Sequence, residues 1–302
     1  MARRPLGPLI GLTCQYLLMP LLSVLLSVLL FPPTERAAWT VFALLSMGCA
    51  PGGGASNLFA ALLDSNIDLS VVMTAVSTVA AAGGSLAFTN RTMPAWLYGF
   101  QRLVLTSYSG AVDIRIPYVD ILAGLLLLVV PSGCGVGLVR YRPRVAGVCA
   151  RLFKLFCALT ISFAIPFSVW TYWHVFAIVD TAMVVSGFAL PLGGATAAVL
   201  LSRLLCRDWR DTTTIALESG LQSAAIALLV CTESMDEPEC DMAVVMPCVV
   251  FLCTAAIILL VIAAKLLFCK NLWRAEALRQ HDHVDDDDDD DVDDKEQETI
   301  SV

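Results

Sequence analysis

The chain has little charge and lacks the patterns that common enzyme and metal sites require. Only 15% of its 302 residues are charged, whereas 58% are hydrophobic. Its eleven cysteines are scattered singly without paired ligand spacing, which argues against a zinc site or a disulfide scaffold. No H-E-x-x-H or G-x-S-x-G pattern of a hydrolase is present. The composition predicts an integral membrane protein that is not an enzyme, with neither a cofactor nor a nucleic-acid partner.

Long apolar segments account for most of the sequence. A membrane-spanning helix needs about 20 apolar residues, and the alternation typical of β-barrel strands is absent. We therefore predict an all-α polytopic protein in a lipid bilayer, with about eight transmembrane helices. The predicted segments are residues 8–31, 37–63, 69–89, 118–139, 155–171, 174–202, 212–231 and 243–264. The uncharged stretch around the first segment is longer than the apolar region of a cleaved signal peptide, so we expect this segment to be retained as a membrane span.

Arginine and lysine lie mainly in alternate connections between these segments. Because cytoplasmic loops carry the excess of basic residues, both termini are predicted to be cytoplasmic. Asn90 then lies outside, within the sequon Asn90-Arg91-Thr92, which predicts a glycosylated asparagine. The pattern fits a multi-pass protein of the plasma membrane or of a secretory-pathway membrane.

The C-terminal segment differs in composition from the rest of the chain. Residues 281–302 contain twelve acidic residues and one lysine, so the remainder is net positive although the whole chain carries −8. We predict a transmembrane domain over residues 1–268 and a disordered, acidic cytoplasmic tail over residues 269–302. A flexible run does not hold the oxygen cage that calcium needs, so calcium binding is not expected. The hydrophobic end, Ile300-Ser301-Val302, could dock as an added strand in a peptide-binding domain.

Two of the predicted spans are interrupted by residues that an ordinary membrane helix avoids. The second span contains Pro51 followed by three glycines, residues 52–54. The seventh contains Gly220 close to Glu218, which is the only charged residue between Thr212 and Thr232. Unwound backbone at membrane depth survives only where it is buried in protein or lines an aqueous cavity. An ionisable residue at that depth usually marks an ion or substrate path.

Polar side chains accompany both breaks. Glu218 and Gln222 are four residues apart, as are Ser70 and Thr74 at the start of the third span, so each pair is expected to project from one side of its helix. The candidate ligands from all segments are Gln15, Ser56, Asn57, Ser70, Thr74, Glu218 and Gln222. Their carboxylate, amide and hydroxyl oxygens suit a hard cation, and no histidine lies among them to suggest a softer metal. The sequence therefore predicts a sodium site.

A structural role is the alternative for several of these residues. Hydroxyl side chains in membrane helices often bond their own backbone, so Ser70 and Thr74 taken alone would more often be structural. Gln15 could join two helices in the same way. Asp180 falls inside the predicted sixth span, yet it could equally lie at the outer interface.

The interrupted spans occupy matching positions in the chain. Spans 1 to 3 and spans 6 to 8 each form a triplet with the interrupted member in the middle, and the two triplets have opposite orientation. Inverted repeats with paired discontinuous helices are the architecture of secondary transporters, which bind near the membrane midplane. We therefore predict an inverted-repeat core of residues 8–89 and 174–264 with two crossing discontinuous helices.

Four stretches resemble the sodium/bile-acid cotransporter family, over nearly all of the chain from Arg3 to about Phe268. Residues 49–57, CAPGGGASN, are similar to its C-x-P-G-G-T-A-S-N signature. Residues 216–222, ALESGLQ, are similar to its A-L-E-x-G-x-Q motif. Residues 15–20, QYLLMP, resemble its Q-F-x-x-M-P run, and residues 68–78 resemble the stretch after the signature.

The resemblance implies a core of crossing helices, a smaller panel to which residues 118–171 contribute, and an organic anion carried with sodium in the cleft between them. It implies one sodium at Ser56, Asn57, Ser70, Thr74 and Glu218. It implies a second at Gln15, Glu218, Gln222 and backbone oxygens near Ser219 and Leu221.

Three departures from the family pattern bear on function. The family has one or two more spans at the N-terminus, so the panel is incomplete here. Gly54 replaces the signature threonine, and Ser223, a candidate substrate contact, replaces the asparagine usual in bile-acid carriers. We expect a sodium-coupled symporter of an organic anion, such as a bile acid or a sulfated steroid, that works by alternating access. The alternative is a non-transporting scaffold, orphan relative or fragment that acts through partners.

Overall fold

The structure is almost entirely helical in the part of the chain that it describes. The computed structural model describes residues 6–83, 99, 118–171, 178–236, 239–265 and 267. The helices in these residues are α1 (Leu6–Leu30), α2 (Glu35–Cys49), α3 (Ala55–Leu62), α4 (Ile67–Gly83), α5 (Tyr118–Tyr141), α6 (Pro143–Thr171), α7 (Thr181–Leu204), α8 (Trp209–Gly220), α9 (Ala224–Ser234) and α10 (Glu239–Lys265). The predicted glycosylation site at Asn90 and the acidic tail with Ile300-Ser301-Val302 lie outside the described residues.

Apolar residues dominate the outer surfaces of the helices. Among the described residues, α1, α7 and α10 are long and apolar enough to cross a membrane. Leu29 on α1 and Leu200 on α7 are two of the many large apolar side chains left exposed, as expected of a surface in contact with lipid. The prediction of an all-α membrane protein is confirmed, whereas the inverted repeat stays a prediction.

Two helix starts differ from the predicted segments. α6 begins at Pro143, well before the predicted start at residue 155, because proline suits the first position of a helix. α7 begins at Thr181 and not at residue 174, with Asp180 as its N-cap. The Asp180 carboxylate accepts a hydrogen bond from the Thr181 backbone N–H at 2.6 Å and is exposed. Asp180 is therefore a capping residue and not an acid buried within the predicted sixth span.

Both interrupted spans are divided where the sequence predicts. α2 ends at Cys49 and α3 begins at Ala55, whereas α8 ends at Gly220 and α9 begins at Ala224. The backbone between the helices is extended at Ala50 and Leu221. In both spans, an extended segment therefore separates two half-helices.

The two extended segments pair with each other. The Gly53 N–H donates to the Leu221 C=O at 2.8 Å, and the Ser223 N–H donates to the Pro51 C=O at 2.9 Å. These bonds form an antiparallel bridge between Gly52 and Gln222. Backbone groups that the breaks remove from the helices are thus satisfied within the protein, as membrane burial requires. The two discontinuous spans cross at this bridge.

Small residues bring the helices around the crossing close together. A Cβ atom placed on Gly194 of α7 would lie 2.2 Å from Met19 Sδ of α1. One placed on Gly220 would lie 3.0 Å from the Pro191 carbonyl oxygen of α7. Small residues at helix interfaces allow this close approach in membrane proteins. The packing fixes α8 relative to α1 and α7 within the compact unit Met1–Ala256; a second unit, Ile257–Val302, includes the end of α10.

Candidate cation site

Glu218 is fully buried near the C-terminal end of α8, among hydroxyl groups. Thr74 Oγ1 donates to its Oε1 at 2.5 Å, and Ser70 Oγ donates to its Oε2 at 3.2 Å. The Ser56 hydroxyl also approaches the carboxylate, and it donates to the Gly53 C=O at 2.8 Å. Residues from α3, α4 and α8 therefore converge on a single carboxylate, as the sequence predicts.

No protein cation is paired with Glu218 in the part of the chain that the structure describes. The ion pair of Arg207 with Asp211 lies at the other end of α8. A buried carboxylate carries a large desolvation cost unless a cation or a proton neutralises it. Hydroxyl donors reduce this cost but leave the net charge in place. Among the residues that the structure describes, Glu218 therefore has no compensating positive charge.

Gln15 approaches the same carboxylate from α1. It is buried within a π-helical turn, Cys14–Leu18, that interrupts α1, and such turns are common at functional sites. A Cβ atom placed on Gly52 would lie 2.9 Å from Gln15 Nε2 and 2.8 Å from Glu218 Oε1. The absence of a side chain at Gly52 thus allows the amide and the carboxylate to face the same small volume.

Two amide oxygens at the site are buried without a hydrogen-bond partner. Asn57 Nδ2 donates to Thr74 Oγ1 at 3.2 Å, and Gln222 Nε2 donates to the Gly48 C=O at 3.2 Å. The opposite atoms of these amides, Asn57 Oδ1 and Gln222 Oε1, have no partner. Buried polar atoms rarely lack one. Two oxygens held in this way fit a cation that accepts oxygen ligands.

The remaining predicted residues lie at the crossing itself. Ser219 and Leu221 are buried. The Ser219 carbonyl oxygen lies 3.0 Å from the position of a Cβ atom on Gly194, so it faces α7, whereas the Leu221 carbonyl accepts the Gly53 N–H. Ser223 is largely buried and bonds Pro51 through its backbone. Its assignment as a substrate contact stays a prediction.

Tyr16 is a residue of the site region that sequence reasoning missed. Its hydroxyl donates to the Ser77 C=O at 2.5 Å and lies against the backbone N–H of Ala81. Ser77 and Ala81 are one helical turn apart, so the hydroxyl meets the backbone hydrogen-bond ladder of α4. It fastens the π-helical turn that carries Gln15 to the helix that carries Thr74. The family motif has phenylalanine at this position, so the resemblance gives no signal for the hydroxyl.

Removal of the Tyr16 hydroxyl is expected to weaken this attachment. Tyr16→Phe should lower the free energy of unfolding by about 1 kcal/mol, because one hydrogen bond between α1 and α4 is lost while the ring stays packed. Chemical unfolding of the purified protein in detergent measures the change. Tyr141→Phe is the matched control, because that tyrosine is 79% exposed and its loss should change nothing. Equal stabilities of the two variants would contradict the role of the hydroxyl.

Comparison with known proteins is consistent with this geometry. A family model described as the Sodium Bile acid symporter family matches residues 1–187. The sodium-dependent organic anion transporter of Bos taurus is 32% identical over 225 residues, which are 73% of this chain and 54% of that protein. The ileal sodium/bile acid cotransporter of Oryctolagus cuniculus is 31% identical over 225 residues, 74% of this chain and 60% of that protein. The ileal cotransporter of Mus musculus is 28% identical over 287 residues, 94% of this chain and 77% of that protein. The chain thus spans little more than half the length of the first two relatives.

Proposed function

The chain belongs to the sodium bile acid symporter family, and on this basis we propose that it carries an organic anion across a membrane together with sodium. The family is one of membrane symporters and not of enzymes. Relatives are named for bile acids and organic anions, so a bile acid or a sulfated steroid is the proposed solute class. Both termini are proposed to be cytoplasmic, from the distribution of basic residues.

The observation that supports sodium coupling most directly is the buried carboxylate of Glu218, which has no cationic partner among the described residues. Sodium would supply the missing positive charge. Its ligands would be hard oxygens, which the site provides as carboxylate, hydroxyl and amide groups. The unpartnered Asn57 Oδ1 and Gln222 Oε1 support the same conclusion. A scaffold that does not transport would have no physical need for such oxygens.

The site residues support two adjacent cation positions. The first proposed position uses the side chains on the α3 and α4 side of the carboxylate, which are Ser56, Asn57, Ser70, Thr74 and Glu218. The second uses the side chains near Gly52 and the crossing, which are Gln15, Glu218 and Gln222, with backbone oxygens of Ser219 and Leu221. Because Glu218 is common to both, occupancy of one position would influence the other.

Cation binding would also stabilise the crossing. α3 and α4 belong to the first interrupted triplet and α8 to the second, and Glu218 is contacted by α4 across that division. A sodium ion there would hold the two broken spans together, so that the organic anion finds a formed surface beside them. Movement of the panel against this core would give alternating access.

Sodium dependence of uptake is the test of this function. Cells or proteoliposomes that contain the full chain should accumulate a labelled sulfated steroid or bile acid in sodium buffer at a rate well above that in choline or potassium buffer. Vesicles without the protein give the background. Uptake that is equal in sodium, potassium and choline would contradict sodium coupling. Absence of uptake, with sodium-dependent stabilisation of the purified protein retained, would contradict the solute class or transport itself, but not sodium binding.

A further inference from the structure

A second group of side chains joins α4 to α8 on one side of the Glu218 site. Asn66 lies just before α4, and its Nδ2 donates to Asp211 Oδ1 at 2.8 Å. The Asn66 backbone N–H donates to Thr214 Oγ1 at 2.9 Å. Asp211 and Thr214 are both on α8. The loop that enters α4 is thus bonded to α8 through two independent groups.

Arg207 completes this group from the loop between α7 and α8. Its guanidinium pairs with Asp211 Oδ2, and the two side chains are only 14% and 17% exposed. Asp211 therefore binds Arg207 with one oxygen and Asn66 with the other. We call Asn66, Asp211, Arg207 and Thr214 the latch.

The latch and the cation site form one continuous polar seam. On α8, residues 211, 214 and 218 are three and four positions apart and share a face. Residue 66, just before α4, and residues 70 and 74 on α4 are four positions apart and follow one side of that helix. The hydrogen bonds across the seam match these faces, since Asn66 bonds Asp211 whereas Ser70 and Thr74 bond Glu218. The seam runs for about two helical turns, roughly 10 Å, from the buried carboxylate to the partly exposed ion pair.

Both loops at the latch hold backbone in an uncommon conformation. Asp64, between α3 and α4, has φ 54°, and Cys206, between α7 and α8, has φ 53°. In the described residues these are the non-glycine residues with positive φ. Such conformations cost energy and persist when surrounding contacts hold them. The latch contacts lie within two residues of each of them.

We propose that the latch closes the route by which the cation leaves Glu218 toward the membrane surface at which the loop between α7 and α8 lies. This inference rests on the proposed sodium coupling. A partly dehydrated ion needs polar groups along its path, and the seam provides hydroxyl, amide and carboxylate groups between α4 and α8. While the latch bonds are made, α4 and α8 are held in contact along the seam. When the latch bonds break, α4 and α8 separate between Asp211 and Glu218, and the ion is released.

The apparent sodium affinity is expected to fall when the latch is weakened, because the protein is in equilibrium between a closed and an open form. A weaker latch raises the population of the open form, which binds the cation less well. The apparent sodium affinity then falls by the factor by which the competent population falls, although no ligand of the ion is changed. Each latch residue is therefore a positioning residue.

Arg207→Gln and Asp211→Asn test the latch. Both remove the ion pair, and the first leaves the Asn66–Asp211 hydrogen bond in place, so it remains informative if Asp211→Asn folds poorly. We expect the sodium concentration for half-maximal thermal stabilisation of the purified protein to rise at least about fivefold in each. Maximal stabilisation by saturating sodium should be retained. Arg210→Gln is the matched control, because Arg210 is an exposed neighbour with its side chain outside the latch.

Amide hydrogen exchange gives a second readout that a purely structural role would not reproduce. Exchange over residues 63–70 should be slowed by sodium in the wild type, and this protection should require more sodium in the two variants. If both variants need no more sodium than the wild type for stabilisation and for exchange protection, the proposed role of the latch would be overturned. Absence of any sodium effect in the wild type would instead overturn the proposed function.

Discussion

Glu218→Gln is expected to abolish sodium-coupled uptake, with a loss of at least about 100-fold, in a protein that still folds. Glutamine keeps the size of the side chain, and its amide oxygen can still accept the hydrogen bond from Thr74 while its NH2 group faces the Ser70 hydroxyl as a donor. It supplies no negative charge, so a sodium ion at either proposed position would be left buried without a counterion. Uptake of the labelled anion, normalised to the amount of protein in the membrane, measures the loss.

The same variant should be more stable than the wild type when sodium is absent. A neutral amide avoids the cost of a buried carboxylate that no cation in the described part of the chain compensates. Thermal unfolding in potassium buffer should therefore occur at a higher temperature in Glu218→Gln, and addition of sodium should no longer raise it. Glu233→Gln, on the exposed end of α9, is the control for the loss of one charge. Sodium stabilisation that persists in Glu218→Gln would remove Glu218 from the mechanism.

The location of the site could be predicted because its causes are local in the sequence. Pro51 with three glycines interrupts one span, and Gly220 beside Glu218 marks the other. Each pattern disfavours a continuous membrane helix, so a buried polar crossing is expected from the requirement that backbone groups be satisfied. The spacing of Ser70 and Thr74 likewise places both on one face of α4, where the structure finds them bonded to Glu218. The prediction that Glu218 and Gln222 share a helical face is wrong, because α8 ends at Gly220 and Gln222 lies in the extended segment.

The latch could not be predicted in this way, because its contacts join distant parts of the chain. Asn66 and Asp211 are 145 positions apart. In the sequence, Asn66 reads as a loop residue and Asp211 as an ordinary acidic residue near a helix start. Only the packing of α4 on α8 shows that they meet.

Orientation of individual side chains is a second property that the sequence does not specify. Asn57 and Gln222 are predicted as ligands from their residue type and from their positions next to the glycine break and to Glu218. That each uses its amide N–H₂ group on a neighbour, and so presents its oxygen without a partner, depends on Thr74 and on the Gly48 carbonyl. Similarly, the hydrogen bond of the Tyr16 hydroxyl depends on the position of α4, which the sequence does not specify.

The backbone and the side chains have different roles at the crossing. The bridge between Gly52 and Gln222 satisfies backbone N–H and C=O groups of the two breaks. The side chains around it are therefore free to point toward Glu218. Because the bridge requires the two extended segments to touch, it also limits the size of the residues at positions 52 and 53.

Gly52→Ala should raise the sodium concentration needed for half-maximal stabilisation by at least about tenfold. The added Cβ would lie 2.8 Å from Glu218 Oε1 and 2.9 Å from Gln15 Nε2, closer than real contacts allow. The carboxylate is held by its bond from Thr74, so it cannot move away without loss of that bond. Both cation positions share Glu218, and both should be weakened. Uptake and sodium-dependent unfolding of the purified protein measure the change.

Gly54→Ala is the matched control for Gly52→Ala, two positions along the same break. A Cβ atom on Gly54 would meet no other atom within 4 Å, and the residue is exposed. If the glycines served only to make the break flexible, both substitutions would reduce sodium binding by restricting the same segment. If Gly52 is required because Gln15 and Glu218 converge on it, only Gly52→Ala should reduce sodium binding. Equal sensitivity of the two variants would therefore show that flexibility, and not this convergence, explains the glycine at position 52.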